Sequence, residues 1–283
     1  MMTLGSATED FIDVDGIRTH YWEEGSGHPV LLIHGGGAGA DAQGNWAGCW
    51  KTFSGQFRTI AYDMLGYGGT LADQEDFVYS QDARVEHLRG FLDAKGLEKV
   101  SLVGNSMGGA AALGLAIHHP ERVHTLTLMG SAGQNPRDES GQVSSELLTI
   151  LNYREPDQEA MRRIVDTLTH DNFVPSDEMV QYRYRLTQDE KVMHAYNGTM
   201  AWNMKVGGLR YEDQDIAKVE VPTLVVSGRE DAVVPLRLSL RFHQLIPNST
   251  LHSIPHCGHW AMIEHPLEFS DLTTRFIREE VAS

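Results

Sequence analysis

Short apolar runs bounded by turn residues alternate along the chain with longer stretches of helical period, a rhythm that predicts a mostly parallel sheet covered by helices. Residues 30–33, 59–62, 100–103, 125–128 and 223–226 read as buried strands, with a further strand at 251–254. The opening differs: 11–14 and 19–22 flank Asp15-Gly16, a hairpin signal, so the sheet is expected to begin with an antiparallel pair. Helical patterns cover about 80–94, 107–118 before Pro120, the stretch after Pro235, and the chain from Pro266 onward. From about 134 to 210 the rhythm breaks into several helix-like patterns without a convincing strand, and it carries the run Tyr182-Arg183-Tyr184-Arg185. The expected organisation is an α/β core domain in two parts, 1–133 and 211–283, with a helical lid at 134–210 inserted between them.

Gly104-Asn105-Ser106-Met107-Gly108-Gly109 follows one strand and opens an apolar helix, the context that a G-x-S-x-G nucleophile elbow requires. So tight a turn leaves no room for Cβ atoms on either side of a strained serine, and it lifts Oγ above the sheet edge. The alternative is a helix-capping serine in a glycine-rich turn. His34-Gly35-Gly36-Gly37 comes directly after the strand at 30–33 and matches the HGGG oxyanion motif, with Gly36 as the expected donor beside the Met107 N–H, and Gly37 as the fallback. Alone, this run also fits a glycine turn needed only for packing.

A serine needs a base, and the base needs an orienting acid, in the chain order Ser, acid, His for the α/β-hydrolase fold. Of 14 histidines, His259 in Pro255-His256-Cys257-Gly258-His259-Trp260 sits on a loop after the last strand, at the same sheet edge as Ser106. His256 and His265 read as surface or packing residues, and zinc binding by His256, Cys257 and His259 lacks a fourth ligand. The acid is expected at Asp231, ahead of Glu230, although an aspartate there also suits a turn or cap before Pro235.

Composition narrows the setting. With 283 residues, 41% hydrophobic and 22% charged, the chain suits one large globular domain with an insertion, and its net charge of −16 argues against nonspecific nucleic-acid or anionic-membrane binding. Two cysteines, Cys49 and Cys257, fit a reducing compartment, and no leader-like start or run of roughly 18 apolar residues is seen, so a cytoplasmic protein is expected.

The His34-Gly-Gly-Gly-Ala-Gly-Ala run with Gly44-Asn45-Trp46, the elbow, Leu128-Met-Gly-Ser-Ala-Gly, and His256-Cys-Gly-His-Trp-Ala-Met-Ile-Glu-His-Pro together resemble the meta-cleavage product hydrolases, nearest the carbazole and dibenzofuran branch. The resemblance implies hydrolysis of a carbon–carbon bond in a 2-hydroxy-6-oxo-6-arylhexa-2,4-dienoate, giving 2-hydroxypenta-2,4-dienoate and an aromatic acid, with no metal or organic cofactor and with homo-oligomeric assembly. It further implies that Arg183, Asn45 and Asn105 bind the carboxylate and 2-oxo end, that Trp260 packs beside the dienoate, and that Gly37 lets backbone approach. Read without the resemblance, Arg183 is equally a solvated helix arginine, Asn105 an elbow support and Trp260 ordinary core. Tyr153, Phe173, Tyr182, Tyr184 and Trp202 can surround an aryl group, although such aromatics are equally expected of any lid packing on its core, and Phe173 departs from the polar lid contact of some relatives. Two rival functions stand beside this one: a carboxylesterase or lactonase with the same triad, and a noncatalytic ligand-binding relative. Haloalkane dehalogenases and epoxide hydrolases normally place aspartate at the elbow, where this chain has Ser106.

Overall fold

Asp15 and Gly16, with φ of 52° and 84°, make the tight turn joining β1 (Thr8–Val14) to β2 (Ile17–Glu24), which pair antiparallel from Thr8↔Glu23 to Val14↔Ile17. The computed structural model describes residues 3–282. After the hairpin come β3 (Pro29–Ile33), two short helices α1 (Ala42–Trp46) and α2 (Trp50–Ser54), β4 (Arg58–Tyr62), α3 (Gln81–Ala94), β5 (Val100–Asn105), α4 (Met107–His118) and β6 (Val123–Met129). Helices α5 (Ser145–Leu151), α6 (Gln158–Leu168), α7 (Asp177–Leu186), α8 (Glu190–Val206) and α9 (Asp213–Ile216) follow without a strand among them. The chain then completes the sheet with β7 (Thr223–Gly228), α10 (Leu236–Leu245), β8 (Ser249–Ile254), α11 (Ala261–Glu264) and α12 (Pro266–Val281).

The eight strands lie in the order β1-β2-β4-β3-β5-β6-β7-β8, antiparallel up to the β2–β4 pair and parallel from β4 onward. β5 and β7 are buried at every position, as expected of parallel strands covered on both faces. α4 is apolar all round because it lies between α3 and strands β5 and β6, with Met107 to Ala116 buried throughout. The helix between Pro235 and β8 and the helix starting at Pro266 stand where the pattern placed them. α1, α2 and α11 were not anticipated: at four or five residues they are too short to express a helical period.

The segment between β6 and β7 is fastened to the core where it leaves and returns. Gly133 N–H donates to the Leu209 carbonyl at 3.1 Å and Tyr211 N–H donates back to the Gly133 carbonyl at 2.9 Å. Within this segment α6 buries Met161, Ile164, Val165 and Leu168, one stripe of an amphipathic helix.

The start of α4 is pressed onto the ends of its neighbours. A Cβ on Gly108 would collide with the carbonyl oxygens of Ile33 and His34, and one on Gly104 would lie 2.6 Å from the Gly108 carbonyl oxygen. Neither set of contacts is a flexible side chain that can move aside. Gly108→Ala is therefore expected to lower stability by about 1–3 kcal/mol, read as a lower urea midpoint at unchanged m-value, whereas Gly198→Ala, whose Cβ would meet only Tyr79 at an ordinary 3.5 Å, should lose less.

Candidate active site

Ser106 occupies the turn between β5 and α4 with φ 53° and ψ −116°, a region that a side-chain-bearing residue adopts only when its surroundings enforce it. Its N–H donates to the Met129 carbonyl at 3.0 Å, and its carbonyl accepts from Ala110 and Ala132, each at 3.1 Å. The hydroxyl makes no capping bond to α4, so the reading of Ser106 as a helix cap fails. Instead Ser106 lines a cavity of about 300 Å³ together with Gly36, Gly37, Met107 and His259.

His259 and Asp231 arrive from the loops after β8 and β7. His259 Nδ1 stands 2.8 Å from Asp231 Oδ2, and both side chains are almost completely buried. Asp231 also fills the turn role that its position allowed, because Oδ1 accepts from the N–H groups of Val233 at 2.9 Å and Val234 at 2.8 Å. Glu230 is turned elsewhere, accepting from the Cys257 N–H at 3.2 Å. The histidine loop is gathered by Glu264, whose carboxylate accepts from the N–H groups of Gly258, Trp260 and His170. His259 N–H itself donates to the carbonyl of Leu168, the last residue of α6, at 3.0 Å. His256 is exposed, and among the described residues no group of three or more His, Cys, Asp or Glu side chains is arranged to hold a metal ion.

The glycine run after β3 is pinned by His34, which is wholly buried. Its Nε2 accepts from the Met64 N–H at 2.8 Å, so Nδ1 carries the proton and donates to the Gly35 carbonyl at 2.7 Å. Burial holds its pKa below the ordinary histidine value, which keeps it neutral. A Cβ on Gly36 would reach Met107 Cε at 2.6 Å and Tyr67 Oη at 3.0 Å, so a larger residue there would push the Met107 side chain aside next to the elbow. Met107 is the first residue of α4, where an N–H has no acceptor within the helix.

A buried polar cluster adjoins the cavity at Gly37. Arg183, on α7, is 4% exposed; its Nη2 donates to the Ala38 carbonyl at 2.8 Å, its Nε has no partner among the described residues, and its guanidinium lies 5.0 Å from the centre of the Trp260 ring. A Cβ on Gly37 would sit 3.5 Å from Arg183 Nη2. Asn45 Nδ2 and Asn105 Oδ1 are likewise buried without partners, and Asn105 Nδ2 donates to the Met129 carbonyl at 3.1 Å. None of Arg183, Asn45, Asn105 and Trp260 belongs to the cavity's immediate lining; Arg183 and Trp260 lie against each other close to Gly37. The solvated reading of Arg183 does not hold.

One carboxylate organises this cluster. Asp41 caps α1, accepting from the Gly44 N–H at 2.7 Å, and its Oδ2 accepts from the Tyr182 hydroxyl at 2.5 Å. It thereby links the helix that carries Asn45 to the helix that carries Arg183. Burial, with the nearby Asp63 charge adding to it, pushes Asp41 up to about 7. Burial also lowers Arg183, to about 10, which leaves it cationic at neutral pH. Asp41, Glu264 and Tyr67 were missed in the sequence, although an aspartate three residues before Gly44 is a recognisable cap signal.

Of the two readings of the insertion's aromatics, packing on the core is the one the structure has: none of the five lines the cavity. Its remaining walls are mainly aliphatic and thioether side chains, among them Leu147, Ile150, Leu151, Leu168, Met200 and Leu238, with Gln134, Arg137 and Asn203 as polar exceptions. Tyr182 is taken by Asp41 and Tyr153 pairs with Thr187 at 3.1 Å, while Phe173, Tyr184 and Trp202 pack half-buried on the core. These aromatics serve the packing of the insertion.

Comparison with known proteins agrees with this geometry. Residues 28–266 match the family model for the alpha/beta hydrolase fold. The chain is 46% identical over 270 residues, covering 95% of it and 90% of the relative, to the 2-hydroxy-6-oxo-6-(2'-aminophenyl)hexa-2,4-dienoic acid hydrolase of Metapseudomonas resinovorans. Among solved structures it is similar to a serine hydrolase involved in carbazole degradation, with TM-score 0.87, 44% identity, and 96% of this chain and 99% of that one covered. It is also similar to a meta-cleavage product hydrolase from Pseudomonas fluorescens IP01, with TM-score 0.87, 36% identity, and coverage of 95% and 97%. The chain belongs to the α/β-hydrolase fold family and, within it, to the meta-cleavage product hydrolases.

Proposed function

We propose that the protein hydrolyses the carbon–carbon bond between C5 and C6 of a 2-hydroxy-6-oxo-6-arylhexa-2,4-dienoate, with Ser106 as nucleophile, His259 as base and Asp231 as the orienting acid. The observation that carries this reading is the pairing of Ser106 and His259 on one cavity with a buried cation next to it, Arg183, whose Nε is left unpaired. A guanidinium withdrawn from water and given no carboxylate within ion-pairing distance is costly to keep, and the carboxylate of a dienoate would offset that cost. A simple esterase acting on uncharged esters has no use for it, which separates this reading from the carboxylesterase and lactonase alternative.

The chemistry follows from the leaving group. Carbon is expelled poorly, so a proton must first reach C5, converting the dienol to a ketone whose expelled fragment is a stabilised enolate. His259, with Nδ1 committed to Asp231, has Nε2 to carry this proton and to take the one from Ser106 Oγ. Oγ then bonds to C6, the N–H groups of Gly36 and Met107 receive the oxyanion, and the C5–C6 bond breaks as the pentadienoate leaves. Water, activated by His259, cleaves the aryl acyl-serine to the aromatic acid. Residues 134–210 act in this scheme as a lid that brings Arg183 over the core. The scheme needs no metal or organic cofactor. No helix of the described residues is long and apolar enough to cross a membrane; the proposal places the enzyme in the cytoplasm, on its cysteine usage, and as a homo-oligomer, on family likeness.

The yellow ring-fission product of 2,3-dihydroxybiphenyl provides the test. Wild type should bleach it with release of benzoate, and Ser106→Ala should lose on the order of 10⁴-fold or more in kcat while still binding the compound. Turnover of simple aryl esters without bleaching would favour the esterase. Arg183→Ala is expected to lower kcat/KM for the dienoate by roughly 10- to 100-fold while changing that for an uncharged aryl ester only a few-fold; an equal loss on both would mean damage to the lid instead.

Asp41 gives the anionic substrate a pH dependence of its own. As pH rises through about 7 it gains a negative charge facing Arg183, so KM for the dienoate should rise several-fold between pH 6 and about 8.5. Asp41→Asn, which keeps a capping side chain, should flatten that rise. An identical KM profile in the variant would remove Asp41 from the account.

A further inference from the structure

We infer that Tyr67 is a positioning residue of the oxyanion hole: from behind the glycine run, its hydroxyl holds Gly36 and the Met107 side chain in the arrangement that receives the tetrahedral intermediate. The inference rests on Ser106 as nucleophile with the Gly36 and Met107 N–H groups as donors, and it adds the group that keeps those two donors in place.

Tyr67 belongs to the turn that follows β4, none of whose residues lines the cavity. Bonds within the turn fix it: the Tyr67 N–H donates to the Met64 carbonyl at 2.9 Å, and the Gly69 N–H donates to Asp63 Oδ2 at 2.8 Å. The turn meets the glycine run twice. Met64 supplies the N–H that His34 Nε2 accepts, and the Tyr67 ring packs edge-on against the His34 ring, with centroids 5.5 Å apart. The Tyr67 hydroxyl then reaches the point where the two proposed donor residues meet. It donates to Met107 Sδ at 3.5 Å, and it lies 3.0 Å from where a Cβ on Gly36 would stand.

A hydroxyl is a costly group at this place. Tyr67 is 1% exposed, and a thioether sulfur is a weak acceptor, so a phenylalanine would pack against His34 equally well without the desolvation. Burial raises the pKa of the phenol, which therefore keeps its proton at neutral pH; the Gly37 N–H, directed at the same oxygen, opposes that rise. With the Gly37 N–H engaged in this way, Gly36 is the residue of the run left to donate to substrate. The ring is held from α3 as well. Arg84, wholly buried, places its guanidinium 6.0 Å from the ring centre and is itself braced by the Tyr79 carbonyl at 2.9 Å and Thr199 Oγ1 at 2.6 Å. Oxyanion donors act because they are in place before charge develops, and losing one costs about 10²–10³ in rate, so loosening one should cost less.

The test is Tyr67→Phe, which keeps the ring and removes the hydroxyl, assayed on the 6-phenyl dienoate and on a simple aryl ester. Inhibition by phenylboronic acid, which forms a tetrahedral adduct on the serine, is measured beside them. In the variant kcat should fall about tenfold on both substrates and the boronate should bind more weakly by a similar factor, with KM within about twofold of wild type. A role confined to packing would not separate the tetrahedral adduct from ground-state binding in this way. Should Tyr67→Phe not yield soluble protein, Met107→Leu, which removes the sulfur and keeps the N–H, reads the same three quantities. Unchanged kcat and boronate affinity, or a loss that appears in KM alone, overturns the positioning role and leaves the hydrolase reading intact. Wild type that hydrolyses the ester and not the dienoate overturns the carbon–carbon reading, and the role of Tyr67 is then decided on the ester and the boronate.

Discussion

The backbone of Ser106 is the constraint around which the rest is arranged. A non-glycine residue held at φ 53° and ψ −116° stores about 1–3 kcal/mol, and it stays there only because its neighbours leave no alternative. Those neighbours are the carbonyl of Met129 at the end of β6, the N–H groups of Ala110 and Ala132, and the close approach of Gly104 and Gly108 to backbone on either side. The ends of β3, β5 and β6 are all engaged in it. The parallel core can therefore be seen as a rigid mount that keeps one hydroxyl proud of the sheet edge, with the glycine run after β3 fixed beside it through a neutral, doubly bonded His34.

Much of this was legible from residue order because the features are local. Strands buried on both faces read as unbroken apolar runs, the Asp15-Gly16 turn specifies its own geometry, and the elbow carries its glycines within five positions. The His259 and Asp231 loops were proposed from chain order, and Asp231 was ambiguous between turn aspartate and histidine partner because one carboxylate oxygen accepts from the turn and the other pairs with His259. What escaped depends on distance through space. Glu264 acts by collecting N–H groups from its own loop and from the start of the segment after α6, which no local pattern expresses. The aromatic residues of the insertion suggested a ring-binding wall, but which face of a helix turns inward is settled by packing, and there the aliphatic and methionine side chains face the cavity.

The electrostatics invert locally. A chain with net charge −16 holds a cation, Arg183, in its interior near the cavity that Ser106 lines, and among the described residues it has no carboxylate within ion-pairing distance. Burial weakens the acid character of Asp41 while Arg183 stays charged, so near neutrality the cluster carries net attraction for an anion in a protein whose surface repels one. Selection of an anionic substrate then occurs at the site, from geometry and burial, and owes nothing to long-range steering.

The attachment of the helical insertion has a consequence for how such a protein diversifies. Because the segment leaves and rejoins the core at the Gly133 to Tyr211 bonds, residues can be exchanged or added between those points without shifting the register of any strand. The shape of the cavity wall can thus change while the strands that carry Ser106, Asp231 and His259 keep their pairing. The constraint lies in the bonds that cross from the insertion to the core, His259 N–H to the Leu168 carbonyl, His170 N–H to Glu264, Tyr182 to Asp41 and Arg183 to the Ala38 carbonyl, each of which a transplanted segment must reproduce.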